Sequence, residues 1–150
     1  MKWMTSALVA MLVLSGCATT GRLTSQEQLQ IHLAHAGEPV PSFRFFGNLH
    51  GWNELGDQAV VVYTRPNESW LLQFDSTCPG LSFASTIGLS SQMDRVHARF
   101  DRVYLHDAIP GSCRISTIRP LDSKAIKAGQ AQLRQAKIQQ RQADAATDSP

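Results

Sequence analysis

Histidine and carboxylate side chains that could exchange protons with a substrate are concentrated near position 100. His97, Asp101 and His106 combine bases that titrate near neutral pH with a carboxylate that could orient them. A serine hydrolase would also need a nucleophile turn, and Gly88-Leu-Ser-Ser-Gln92 lacks the second glycine of the Gly-x-Ser-x-Gly pattern. We expect Asp101 to serve a salt bridge or a turn. A hydrolase that uses His97, Asp101 or His106 is the alternative.

A second histidine pair, His32 and His35, lies one turn apart in a segment with helical periodicity. This spacing could place two imidazoles on one metal ion, but no third ligand is evident nearby in the sequence. The chain also lacks the pattern of a glycine-rich phosphate loop. We expect the pair to lie on a solvated helix face, and we expect no metal and no cofactor.

Arginine and aromatic side chains between positions 43 and 70 could form a ligand pocket. Guanidinium groups bind carboxylates and phosphates through paired hydrogen bonds, so Arg44 and Arg65 are the candidate polar contacts, with Trp52 as an aromatic contact. In a domain of this size aromatic side chains more often form the core. That second interpretation covers Phe43, Phe45, Phe46, Trp52, Tyr63 and Trp70.

The first seventeen residues indicate where the protein resides. A lysine at position 2, an apolar run from Ala7 to Leu14 and the tetrapeptide Leu14-Ser15-Gly16-Cys17 form a secretory signal peptide that ends in a lipobox. The apolar run is too short for a bilayer, which takes ~20 residues. We predict a signal peptide over residues 1–16 and acylation of Cys17. Because Ala18 is not an aspartate, we predict an outer-membrane, periplasm-facing location. A secretory signal with an incidental cysteine is the alternative.

The predicted periplasmic location bears on the two remaining cysteines. Once Cys17 is acylated, Cys78 and Cys113 are the only cysteines left. In the oxidising periplasm such a pair is expected to form a disulfide. A redox pair usually shows Cys-x-x-Cys spacing, and two cysteines alone do not complete a zinc site. We predict a bridge that ties a Cys-Pro-Gly turn to the last strand.

Local patterns predict the elements that position these side chains. Residues 17–42 form a lipidated linker and a short helix, with Thr24 as N-cap, Glu27 completing a capping box and an end at Gly37. Residues 43–120 form a disulfide-bridged β-rich domain. Residues 121–150 are rich in Ala and Gln, which predicts a helix to about Ala143 and a disordered tail from Asp144.

The fold class is therefore predicted to be α+β and mainly β, with a small antiparallel sheet of about five or six short strands. The clearest hairpin turns at Pro66, and the alternation along its second arm indicates one buried and one partly wet face. The predicted strands are Ser42 to Gly47, Ala59 to Thr64, Ser69 to Phe74, Thr86 to Ser90, Val103 to His106 and Cys113 to Ile118.

Several strings of the sequence occur in the same order in a known family. They are Phe43-Arg-Phe-Phe-Gly47, Gly51-Trp52, Cys78-Pro-Gly-Leu81, Arg99-Phe-Asp-Arg-Val103 and Cys113-Arg-Ile-Ser-Thr-Ile-Arg-Pro120. In these strings the chain resembles DUF6491, a family of small bacterial lipoproteins without an established activity. The resemblance spans about Phe43 to Asp122, with the helical flanks outside it. It implies one small exported domain and a Cys78 to Cys113 pairing.

The charge balance and the missing motifs limit the function classes. The chain has 14 Lys and Arg against 12 Asp and Glu, which disfavours a nucleic-acid partner. We expect a lipid-anchored envelope protein whose domain is a non-catalytic binding or structural module. Its expected partners are membrane lipid, through Cys17, and an envelope protein or small ligand. An envelope-acting hydrolase is the alternative.

Overall fold

The computed structural model describes residues 21–106 and 111–147. The predicted signal peptide, Cys17 and the last three residues of the predicted tail lie outside these residues. Within them no helix is both long and apolar enough to cross a membrane.

Two α-helices, one short 3₁₀ helix (Leu81–Phe83) and eight strands form the regular structure of the described residues, which confirms the mainly β prediction. The α-helices are α1 (Ser25–Ala34) and α2 (Ser123–Thr147). The strands are β1 (Ser42–Arg44), β2 (Gly51–Glu54), β3 (Ala59–Arg65), β4 (Glu68–Phe74), β5 (Ile87–Leu89), β6 (Arg95–His97), β7 (Arg102–Leu105) and β8 (Gly111–Pro120).

Six of the strands form one antiparallel sheet in the order β2-β3-β4-β8-β7-β5, and β1 pairs with β6 in a separate two-stranded ladder. The predicted hairpin is present, with Arg65 opposite Glu68 across a turn at Pro66 and Asn67. Sequence patterns missed β2 and β6. These strands are four and three residues long, too short to show a periodic pattern.

The six-stranded sheet is buried on both faces around β3 and β4. Leu72 belongs to the main core with β1 and β6, whereas its neighbour Leu71 belongs to a second core with Leu29 and Leu33 of α1. Both leucines of β4 are fully buried. The face predicted to be partly wet is therefore buried at Leu71, where α1 covers it, but it is partly exposed at Gln73 and exposed at Asp75.

Helix α1 begins as predicted. The Thr24 hydroxyl accepts a hydrogen bond from the Glu27 backbone, and the Glu27 carboxylate accepts one from the Thr24 backbone. The helix ends at Ala34 rather than at Gly37, because Gly37 already donates its N–H to the carbonyl of Pro120. This bond joins the chain after α1 to the end of β8.

Helix α2 packs against α1 at a glycine. A Cβ atom at Gly129 would lie 3.2 Å from His35 Nε2 and 3.3 Å from the Ile31 side chain, so the missing side chain permits close approach. Lys137 joins the helices again through a 2.6 Å bond to Glu27. The helix continues to Thr147, so the predicted disorder from Asp144 is wrong over the described residues. Alanine-rich sequence favours this extension.

Candidate functional site

The candidate catalytic aspartate has a structural role in a turn. Asp101 is 3% exposed, and its two carboxylate oxygens accept hydrogen bonds of 2.6 Å each from the Ser90 hydroxyl and the His97 backbone. The His97 ring nitrogen Nδ1 lies 3.4 Å from the same carboxylate. Of the two expected roles of Asp101, the turn role is therefore confirmed.

The same network occupies the hydroxyl that could act as a nucleophile. Ser90 Oγ donates to Asp101 and accepts a 2.9 Å bond from the Arg102 backbone N–H. A catalytic serine instead donates its proton to a histidine that serves as general base. The arrangement thus fixes the start of β7 and does not resemble a catalytic triad.

His106 lies away from this network, at the opposite end of β7. Five residues of extended chain separate it from Asp101, which corresponds to roughly 16 Å at the usual strand rise. The exposed His106 ring lies over Gly88, where a Cβ atom would approach Nε2 to 2.7 Å. Within the described residues the hydrogen-bond network of Asp101 therefore includes His97 but not His106.

The histidine pair of α1 is not on a solvated face. His32 is 4% exposed, and its Nδ1 donates to the Gln28 carbonyl at 2.6 Å. Burial lowers the pKa of His32, an effect that this hydrogen bond partly opposes and the nearby His35 reinforces. The predicted solvation is wrong for His32 because the helices and the sheet enclose it. Across residues 21–106 and 111–147, no group of three or more His, Cys, Asp or Glu side chains could hold a metal ion.

Arg44 and Arg65 line one pocket, although 21 positions separate them. This Arg44–Arg65 pocket has a volume of about 330 Å³ and lies between the loop that joins β1 to β2 and the end of β3. Asn48, His50 and Thr64 add polar groups to its lining, and Phe46 adds an aromatic ring. Two arginine side chains that line one concave site are suited to bind an anion.

Positive charge is concentrated around the Arg44–Arg65 pocket. Arg44 lies directly opposite Arg95 in the β1–β6 ladder, and like charges in this register repel each other. The Arg95 guanidinium donates to Ser42 Oγ at 2.8 and 3.0 Å. The Nε atom of Arg65 lies 3.6 Å from the Glu68 carboxylate. Because this ion pair is exposed to solvent, it contributes little to stability. A bound anion would offset the remaining repulsion.

Thr64 lines the same pocket and also has an unpartnered polar atom. Its Oγ1 is enclosed by protein and has no hydrogen-bond partner among the described residues. Burying a hydroxyl without a partner costs about 1–3 kcal/mol, so this atom destabilises the fold locally beside the pocket. Only tertiary packing produces this feature, and the sequence alone gave no signal for it.

Trp52 does not line the Arg44–Arg65 pocket. It lies opposite Val62 in β2 and packs against the main core, as does Trp70, whose ring stacks on Phe43 at a centroid distance of 4.9 Å. The core interpretation of the aromatic residues holds for Trp52, Trp70, Phe43 and Phe45. Phe46 differs, because it is 60% exposed beside Arg44.

The cysteine pair has the geometry of a disulfide. Cys78 and Cys113 have Cα atoms 5.6 Å apart and sulfur atoms at bonding distance. Cys78 is fully buried beside the turn before Leu81, and Cys113 lies in β8 opposite Val103. The contact ties the middle of the chain to the final strand, as the sequence predicts.

Comparison with known proteins places the chain in a family. A family model described as a family of unknown function, DUF6491, matches residues 1–137. The match includes the N-terminal segment, α1 and part of α2, so the narrower span from Phe43 to Asp122 is corrected. No curated protein and no solved structure matches the chain significantly. The chain therefore belongs to the family of unknown function DUF6491.

Proposed function

We propose that this protein is a lipid-anchored envelope protein whose β-rich domain binds a small carboxylate or phosphate in the Arg44–Arg65 pocket without catalysis. The observation that carries the proposal is that two arginines distant in sequence line one pocket. Guanidinium groups recognise both anions through the same paired hydrogen bonds. Carboxylate and phosphate are therefore one ligand class for this site.

The envelope location is supported by the sequence at the N-terminus. The Leu14-Ser15-Gly16-Cys17 lipobox follows an apolar run of signal-peptide length, and Ala18 favours transfer to the outer membrane. Several acyl chains on Cys17 would give a stable anchor, because each buried methylene contributes ~0.8 kcal/mol. Mass spectrometry of the exported protein should find an acylated Cys17 at the N-terminus. An unmodified N-terminal peptide that retains Lys2 would contradict this.

A binding role without catalysis is supported by the way the titratable groups are used. Both oxygens of Asp101 accept hydrogen bonds within a turn, and His106 lies at the far end of β7. An enzyme site needs such groups to converge on one concave surface. The hydrolase alternative is therefore disfavoured.

Calorimetry on the mature protein tests the binding site. Wild type should bind inorganic phosphate or citrate, and Arg44→Gln or Arg65→Gln should each weaken binding about tenfold, as expected for loss of a charge-assisted hydrogen bond. Arg114→Gln is the matched control, because Arg114 is an exposed strand arginine outside the pocket, 3.9 Å from Asp75. Equal binding by wild type and the two pocket variants would reject the site, as would the absence of binding by wild type.

A further inference from the structure

A second concave site lies at the other end of the β1–β6 ladder. It is a cleft of about 590 Å³ between the segment Pro39 to Pro41, the turn after β6 and the second half of β8. We call it the Phe100 cleft. Its volume is within the ~300–1,000 Å³ of sites that hold small organic ligands. Ala98 donates its N–H to the Pro41 carbonyl, which closes one end of the cleft.

The walls of the Phe100 cleft are apolar, and its charged side chains are basic. Pro39, Pro41, Phe100 and Ile118 contribute apolar surface, whereas Arg99 and Arg119 contribute guanidinium groups. No acidic side chain lines the cleft among the described residues. The carboxylate of Asp101, in the turn beside the cleft, is already hydrogen-bonded to Ser90 and to the His97 backbone. The cleft therefore combines an apolar surface with uncompensated positive charge.

Arg119 has unused hydrogen-bonding capacity. Its Nη1 donates to the Gly37 carbonyl at 3.1 Å, but its Nε is buried without a partner among the described residues. A guanidinium has five N–H donors and cannot lose its charge in a protein. Because Nε itself is enclosed, a ligand in the cleft would meet the outer N–H groups of this guanidinium, which pair best with an acceptor that carries negative charge.

The turn at the rim of the cleft is held in an uncommon conformation. Arg99 has a φ of 71°, in the left-handed region that side chains other than glycine rarely occupy. Its N–H donates to Ile115, and Asp101 fixes both ends of the turn through the backbone of His97. Phe100 is thereby held 80% exposed at the rim. Backbone strain of this kind occurs preferentially at functional sites.

We propose that the Phe100 cleft binds a free single-chain amphiphile with a carboxylate head, such as a medium-chain fatty acid. The head group lies at Arg119 and Arg99, and the acyl chain lies along Pro39, Pro41 and Phe100. Charge complementarity selects an anion, and the apolar walls select a ligand with a hydrocarbon tail. This site is separate from the Arg44–Arg65 pocket, so the two proposals can fail independently.

Binding of decanoate to the mature full-length protein, below its micellar concentration, tests the proposal. Wild type should bind decanoate, whereas acetate, which has the head group only, and neutral decyl maltoside should bind at least tenfold more weakly. Arg119→Gln and Arg99→Gln should each weaken decanoate binding about tenfold, as loss of one charge-assisted contact predicts. Phe100→Ala should weaken it several-fold.

Two control variants make the result specific. Phe83→Ala removes another outward aromatic ring, 90% exposed and outside the cleft, and Arg114→Gln removes an exposed guanidinium that lines neither this cleft nor the Arg44–Arg65 pocket. Both should retain decanoate binding. Circular dichroism checks that the Arg119→Gln variant folds, because this substitution also removes the hydrogen bond to the Gly37 carbonyl. Arg99→Gln removes a positive charge from the cleft without affecting that bond. Unchanged decanoate binding in Arg99→Gln and Phe100→Ala would overturn the proposal. Binding only to phospholipid vesicles, or equally tight binding of decyl maltoside, would also overturn it.

Discussion

Replacing Asp101 should destabilise the fold far more than replacing its histidine neighbour. Asp101→Ala removes two hydrogen bonds of 2.6 Å to a buried carboxylate. Bonds to charged groups contribute about 1.5–3 kcal/mol each, so the expected loss is ~3–6 kcal/mol. Stability of a small domain is only ~5–15 kcal/mol. Asp101→Asn keeps one acceptor oxygen, so its loss of unfolding free energy should be about half that of Asp101→Ala.

His97→Ala is the matched comparison. The His97 side chain is 38% exposed, and its Nδ1 lies 3.4 Å from the Asp101 carboxylate. Exposed pairs of this kind contribute about 0–1 kcal/mol to the free energy of unfolding. Urea unfolding at pH 7, followed by tryptophan fluorescence, measures all three variants against wild type. The reasoning is refuted if Asp101→Ala remains within about 1 kcal/mol of wild type, or if His97→Ala loses as much stability as Asp101→Ala.

Three further predictions concern the disulfide and two titrating groups. Reducing the Cys78 and Cys113 pair, 35 residues apart, should lower the free energy of unfolding by about 4 kcal/mol in urea, and a loss below about 1 kcal/mol would contradict a structural bridge. Because burial lowers the pKa of His32 from 6.5, the unfolded chain binds its proton more readily. Stability should therefore fall as pH drops below 6.5, and His32→Gln should flatten that slope in thermal melts. The hydrogen bond from Lys137 lowers the pKa of Glu27 from 4.5 to about 2, so the pair should stabilise above pH 4.5 and cease to do so as pH falls towards 2. In the Lys137→Gln variant the pKa of Glu27 should rise towards 4.5, which a side-chain NMR titration measures.

Local features of the fold were predictable from sequence, and features made by distant packing were not. The Thr24 capping box and the hairpin at Pro66 depend on residues a few positions apart, so their patterns predict them directly. The burial of Leu71 depends on α1 crossing the sheet, which no local pattern records. The turn before β6 was also missed, because Met93 and Asp94 adopt positive φ without a glycine to indicate it.

Some of the candidate binding residues could likewise be predicted from sequence, and others could not. Arg44 and Arg65 could be chosen from side-chain chemistry, because a guanidinium near a predicted strand end is a plausible anion contact. The unpartnered atoms of Thr64 and Arg119 could not be chosen, since burial without a partner arises only after the elements pack. Arg99 was likewise missed because its conformation, not its sequence context, places it at the cleft.

The most direct test of anion binding is NMR observation of the arginine Nε–H groups during titration with inorganic phosphate. Assignment by Arg44→Gln and Arg65→Gln identifies the two relevant signals. The account predicts that both signals shift and saturate together, while the Arg114 signal, outside the Arg44–Arg65 pocket, stays unchanged. Small shifts of all arginine signals that never saturate, or no shift at Arg44 and Arg65, would contradict the claim that this pocket binds anions.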